Sequence, residues 1–158
     1  MVGVPKALRG HWGVHAKILE GLLSQKKFPV IFRSIVKAVE GTWSGLEDSD
    51  HVQAVVVFMC RSGRHRSVGM AFCLEAFAES MGASVRVVHC ESDKWCRDVC
   101  TTCAACAITD AKRDRIVQEI LATKIDFRMH EFMCSVVMRL AHGMDASIAI
   151  GCNRSKKT

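Results

Sequence analysis

An α/β domain of three-layer type, with a small, mostly parallel sheet and a strand–loop–helix unit at its centre, is the fold class that this sequence predicts. Three observations predict it. Residues 55–59 (Val-Val-Val-Phe-Met) are an apolar run without alternation, the pattern of an interior strand covered on both faces. A turn containing Gly63 follows, and beyond it Met70, Leu74 and Phe77 fall at helical spacing. A second β-branched run, Val85 with Val87 and Val88, comes after that helix, so the order is that of a parallel βαβ unit with a right-handed crossover.

Taken in order, residues 14–25 and 29–42 carry apolar side chains three and four apart, which predicts two helices. Pro29 suits the first turn of the second, where a missing N–H costs nothing. Residues 44–50 form an acidic turn, residues 53–59 a strand and residues 66–80 a helix stopped by Gly82. Residues 84–89 form the next strand, residues 111–123 and 129–142 two more helices, and residues 146–150 a short strand. The end, 153–158, is a frayed basic tail. A length of 158 residues suits one domain, able to bury roughly 70% of its unfolded surface. We therefore expect a single domain over 1–158, with residues 96–110 as a cysteine-rich insertion.

Composition narrows the function classes. Apolar residues make up 49% of the chain, yet no stretch approaches the roughly 20 apolar residues of a membrane span, and the start lacks the apolar core of a secretory signal. No membrane partner is expected. Nine cysteines, an odd number, are better read as reduced thiols in the cytoplasm than as a disulfide framework. A net charge of +6 favours anionic partners without separating RNA from phosphorylated metabolites, and 6% aromatics with no tyrosine leave little to stack bases. A homo-oligomer is compatible with all of this.

The charge has a specific place. Cys60, Arg61, Ser62, Gly63, Arg64, His65, Arg66 and Ser67 lie between the end of the strand and the start of the helix. The first N–H groups of a helix lack intrahelical partners and carry partial positive charge, so an anion is stabilised there. Gly63 lets the backbone turn its N–H groups inward, Arg66 supplies a two-donor fork for phosphate, and Ser67 adds a hydroxyl. His89, ending the next strand, is read as a group facing the loop. A cradle for a phosphorylated small molecule is the expected site.

Cys60 admits a catalytic reading as well. Cys60-x5-Arg66-Ser67 matches the loop of cysteine-dependent phosphatases, with Cys60 as nucleophile and Arg66 holding the equatorial oxygens. The leaving oxygen needs an acid, and Glu47, Asp48 and Asp50 are the nearby candidates; Met59 stands where that pattern has histidine. The plainer alternative is a small buried residue at a strand end.

The segment 55–90 resembles the C-terminal domain of the RapZ family, through the Cys60-x-x-Gly63-x-His65-Arg66-Ser67-Val68 loop and the later Val85-Arg86-Val87-Val88-His89 strand. The resemblance is best over 30–95. It implies a regulatory or sensor domain that binds a sugar phosphate at this loop, and an RNA-interacting adaptor as a further possibility. The family's glycine-rich pair is Ser62-Gly63 here and its lysine is Arg64, which bears on pocket shape. No G-x-x-x-x-G-K-[ST] loop occurs, so ATP binding is not expected.

Downstream, Cys96-x3-Cys100-x2-Cys103-x2-Cys106 offers four thiols as a zinc set, zinc being the one cofactor the sequence suggests. The same spacing puts Cys96, Cys100 and Cys103 on one helical face, so a thiol-rich packing helix or a redox-labile loop is the alternative. His11 and His15 flank Trp12 in a polar start and, like His130 and His142, are read as satisfied core or surface histidines. Lys112 to Arg115 is read as a solvated helix start.

Overall fold

A computed structural model of the chain describes residues 5–44, 51–61, 63–80, 83–90, 103–107, 109–122 and 145–154. After a short 3-10 turn at Lys6–Leu8, helix α1 spans Ala16–Leu23. Its start is fixed by His15, whose Nδ1 accepts the Lys17 N–H at 3.2 Å and so satisfies one of the orphan donors of the first turn. Helix α2 follows at Phe28–Ser44, with Pro29 in its first turn, and buries Phe28, Phe32, Val36 and Val39, four residues on one stripe. Then come β1 (His51–Cys60), α3 (Arg66–Ser80), β2 (Ser84–His89), α4 (Asp110–Ala122) and β3 (Asp145–Arg154). The chain is a mixed α/β unit.

The three strands pair in the order β1-β3-β2, and both pairs are parallel. Phe58 of β1 and His89 of β2 share the same partner in the register, Cys152 of β3. The two strands joined by α3 therefore run parallel without being neighbours, because β3 inserts between them.

This order corrects the expectation for β1. Among the described residues it is an edge strand, and its apolar run is covered on one face only: Val55 is 66% exposed, Val57 57% and Met59 64%, whereas Phe58 is buried. The reason is that α2 and α3 pack on the face carrying Phe58, with Val56, Val85 and Val87 set against the core from the same side. Val88 is exposed as well.

Helix α3 is the centre of the core. It touches all three strands, α1 and α4, and buries every residue from Ser67 to Leu74 together with Ala76, Phe77 and Ala78. A helix hydrophobic nearly all round is one packed nearly all round. Phe32 of α2 stacks on Phe28, with ring centroids 5.4 Å apart, and meets Phe77 of α3 edge-on at 5.5 Å. On the other flank α4 contributes Ile116, Val117 and Ile120. None of the described helices is long and apolar enough to cross a membrane. Two expectations are corrected at their edges: Ser44, expected in the acidic turn at 44–50, is the last residue of α2, and Asn153 and Arg154, expected in the frayed tail at 153–158, are held in β3 by pairing with Met59 and Cys60. The rest of that turn and tail, the Gly82 stop and the helix at 129–142 lie outside the described residues.

Candidate functional site

Strand β1 delivers Cys60 to the end of the sheet and α3 begins six residues later, so the connecting loop is short and must turn sharply. Gly63 makes the turn at φ 69°, a conformation that side-chain-bearing residues rarely adopt, and its N–H donates to the Cys60 carbonyl at 3.1 Å. The turn brings Cys60 back over the first residues of α3. Its Sγ lies 3.1 Å from Ser67 Oγ, and both side chains are buried. Arg66, the first residue of α3, is half-exposed beside them; Arg64 is half-exposed and Arg61 exposed.

His65 points the other way. It is 6% exposed, and its Nε2 lies 3.0 Å from the Arg9 carbonyl; a carbonyl only accepts, so Nε2 carries the proton and donates. Burial, helped by the Arg64 and Arg66 charges, holds its pKa below the ordinary 6.5 against the hydrogen bonds to the Arg9 and His11 backbone, and the ring is neutral at pH 7. His65 thus serves to bind the N-terminal segment to the loop. Gly13 completes this contact: its N–H donates to the Arg64 carbonyl at 2.8 Å, and a Cβ there would stand 2.1 Å from the His65 carbonyl oxygen and 2.4 Å from the Gly69 nitrogen. Nothing in the sequence pattern marks Gly13, because the backbone it touches is some fifty residues away.

A cavity of about 250 Å³ opens against this loop. Cys60, Arg66 and Ser67 line it together with Lys27 and Gln25, and Phe28, Ile31 and Ile35 are among its apolar lining. Lys27 and Gln25 were not legible as site residues, since they belong to the turn between two core helices. His89 does not line this cavity. It is half-buried at the end of β2, two strand spacings from β1, and burial lowers its pKa. Ser62 lies outside the described residues.

A second group of chemically capable side chains gathers where the N-terminal segment meets the 103–107 turn. Of the four cysteines read as a zinc set, Cys96 and Cys100 fall outside the described residues, while Cys103 and Cys106 sit on one tight turn and meet His11: the three ligating atoms all lie within 4.8 Å of one another. Desolvation pushes the Cys103 thiol up, but hydrogen bonds from Cys106 and the Ala105 backbone, with the Lys112 charge, outweigh it and hold its pKa below the ordinary value. Cys73, by contrast, is a packing thiol inside α3, pushed up to about 12 by burial and by the Glu119 charge. Cys60, Cys73, Cys90, Cys103 and Cys106 are free thiols.

The sequence model of the RapZ C-terminal domain matches residues 3–93, more than half of the chain. The chain belongs to the RapZ C-terminal domain family. No curated protein and no solved structure matches it. The RapZ segment runs from the N-terminal residues lying over the loop through α3 and β2, so it contains Gly13, the 60–67 loop and His89. It stops before Cys103, Cys106 and the inserted strand β3.

Proposed function

We propose that this RapZ C-terminal domain binds a phosphorylated small molecule, a sugar phosphate, at the 60–67 loop, and acts as a regulatory or sensor domain. The observation that carries the reading is that Cys60, Arg66 and Ser67, gathered by the Gly63 turn at the start of α3, line one cavity together with Lys27. The phosphate occupies the mouth, where Arg66 and the helix N–H groups meet it and Ser67 donates a hydroxyl. Lys27 adds a second cation, and Arg61 and Arg64 add positive field; Ser62 belongs to the same loop. A sugar turns its C–H face to Phe28 and Ile31 and its hydroxyls to Gln25. His65 acts by holding the loop in shape.

The test is thermal stability against a panel of sugar phosphates, inorganic phosphate and nucleotides. A ligand at 100 times its Kd adds roughly 2.7 kcal/mol to the folded state. Arg66→Ala removes a charge-assisted contact of roughly 1.5–3 kcal/mol and weakens binding by about one to two powers of ten, while Cys60→Ser leaves it in place. No stabilisation by any anion in the panel would rule the reading out.

A second reading is favoured by the 3.1 Å contact between Cys60 Sγ and Ser67 Oγ, which gives a Cys60 thiolate a hydroxyl donor. There the thiolate attacks phosphorus, an S–P bond forms as the ester P–O bond breaks, the leaving oxygen takes a proton from an acid, and water then releases phosphate. The candidate acids Glu47, Asp48 and Asp50 lie outside the described residues. Phosphate release that vanishes in Cys60→Ser selects this reading. An RNA-adaptor role has the net charge of +6 and the family in its favour, and a steep fall of RNA binding with salt is its signature. On the same footing we place the protein in the cytoplasm as a homo-oligomer. The three-layer reading of the fold belongs here too, with a further layer over the sheet face that leaves Val55, Val57 and Met59 open.

A further inference from the structure

Cys103 and Cys106 form a Cys-x-x-Cys turn closed by the Cys106 N–H on the Cys103 carbonyl at 2.9 Å, with the Ala107 N–H donating to the same carbonyl at 3.2 Å. The backbone N–H groups of Ala105 and Cys106 also bond the Cys103 side chain, so the sulfur is already surrounded by donors that would stabilise a metal-bound thiolate. His11 approaches from a remote part of the sequence, and its Nδ1 lies 3.5 Å from Cys106 Sγ. Tetrahedral zinc, with bonds of about 2.3 Å to sulfur and about 2.0 Å to nitrogen, sets its ligand atoms roughly 3.5–3.8 Å apart. One edge of the triangle already has that length, and the 4.8 Å bound on the others asks for a small contraction.

Contacts that need no ion bring the two segments together. The Ala16 N–H donates to the Ala105 carbonyl at 3.2 Å, and the Lys112 ammonium bonds the Val14 carbonyl as well as those of Ala105 at 3.1 Å and Ala107 at 3.3 Å. The His15 ring meets that of His11 edge-on at 4.5 Å and is itself held by the helix cap, which fixes the orientation of the His11 imidazole. A triangle of soft ligands is thus preorganised between the N-terminal segment and the 103–107 turn.

We propose that His11 Nδ1, Cys103 Sγ and Cys106 Sγ bind a zinc ion that clamps the N-terminal segment to the 103–107 turn. Binding deprotonates the two thiols and takes the imidazole neutral, so two protons leave and the site carries no net charge; the fourth position takes water or a further side chain. The set differs from a run of four cysteines in having His11 as a ligand. The clamp also reaches the phosphate loop, because the clamped segment is the one that bonds His65 through Arg9 and Arg64 through Gly13. This last consequence rests on the binding role proposed for that loop; the metal site itself does not.

The test is metal content of the full chain purified under reducing conditions without chelator, followed by cobalt(II) substitution. We expect about one equivalent of zinc per chain, as one site requires. We also expect a tetrahedral cobalt spectrum with a thiolate charge-transfer band. His11→Ala, Cys103→Ser and Cys106→Ser weaken zinc binding by roughly 100-fold or more, whereas His11→Cys, which exchanges imidazole for thiolate, retains it. Circular dichroism of each variant keeps loss of metal distinct from loss of fold. Zinc that stays stoichiometric in His11→Ala but is lost in Cys96→Ser or Cys100→Ser assigns the metal to the cysteine run and overturns the proposal. A reduced, folded wild-type chain that takes up no zinc or cobalt overturns it too. Failure of anion binding with zinc intact would count against the loop reading alone.

Discussion

Gly13 is the residue on which the candidate site most depends without touching it. A methyl group there meets backbone atoms of His65 and Gly69, which unlike a flexible side chain have no way to step aside. Gly13→Ala therefore costs about 3 kcal/mol or more, at or above the upper end of ordinary overpacking, and denaturant titration should show it. Gly21→Ala, where an added Cβ meets nothing within 4 Å, is the control and should be neutral or slightly stabilising. His89 offers a pH-dependent counterpart. Burial lowers its folded pKa below 6.5, so the unfolded chain takes up the proton first as pH falls. Its contribution to stability is full above 6.5 and is lost as pH falls from there through the folded value. An NMR titration should place the His89 midpoint below 6.5, and the acid-side loss of thermal stability should be shallower in His89→Asn. A midpoint at or above 6.5 would mean that the ring is solvated. At this scale the sequence announced the turn of the loop but not how the loop is held. Gly63 makes the turn that its type suggests, whereas the inward turn of His65 depends on the Arg9 carbonyl, which no local pattern announces.

Among the elements, the α2–α3 joint carries the aromatic core and one wall of the cavity at once. Phe32 is fully buried between Phe28 and Phe77, so Phe32→Ala leaves a void that these rings cannot fill and costs about 3–5 kcal/mol. Val30, exposed two residues earlier on the same helix, should change stability by no more than about 0.5 kcal/mol when cut to alanine. Equal midpoints for the two variants in denaturant would contradict the packing described for α2. The helices were legible because their apolar stripes are local: the 66–80 reading coincides with α3, and 29–42 differs from α2 by a residue or two at each end. The edge position of β1 among the described strands was not legible. An unbroken apolar run says that a strand can be covered on both faces, but which elements reach it is decided by pairing with residues far along the chain. Likewise Cys103 and Cys106 stood out by their spacing, while His11, nearly a hundred residues away, looked like any histidine in a polar start.

For the whole molecule, the decisive fact is that the family-matched segment does not contain its own sheet. Residues 3–93 hold α1, α2, β1, α3 and β2, but every described strand pairing passes through β3, which arrives after residue 144 and lies between the other two. A fragment ending near residue 94 leaves β1 and β2 roughly 10 Å apart, two strand spacings, with unpaired backbone donors and acceptors facing each other across the gap. It also uncovers the part of α3 that packs on β3. The helical face of Phe32, Phe77 and Leu22 remains, so the fragment should collapse and keep helical circular dichroism, yet lose the cooperative thermal transition and the dispersed amide spectrum of the full chain. Because the β1–β3 pairing closes a loop of some ninety residues, the full chain should also fold more slowly than its helical content suggests. A fragment of residues 1–94 that melts sharply and gives well-dispersed amides would mean that β1 and β2 can pair directly, and the inserted position of β3 would then be wrong.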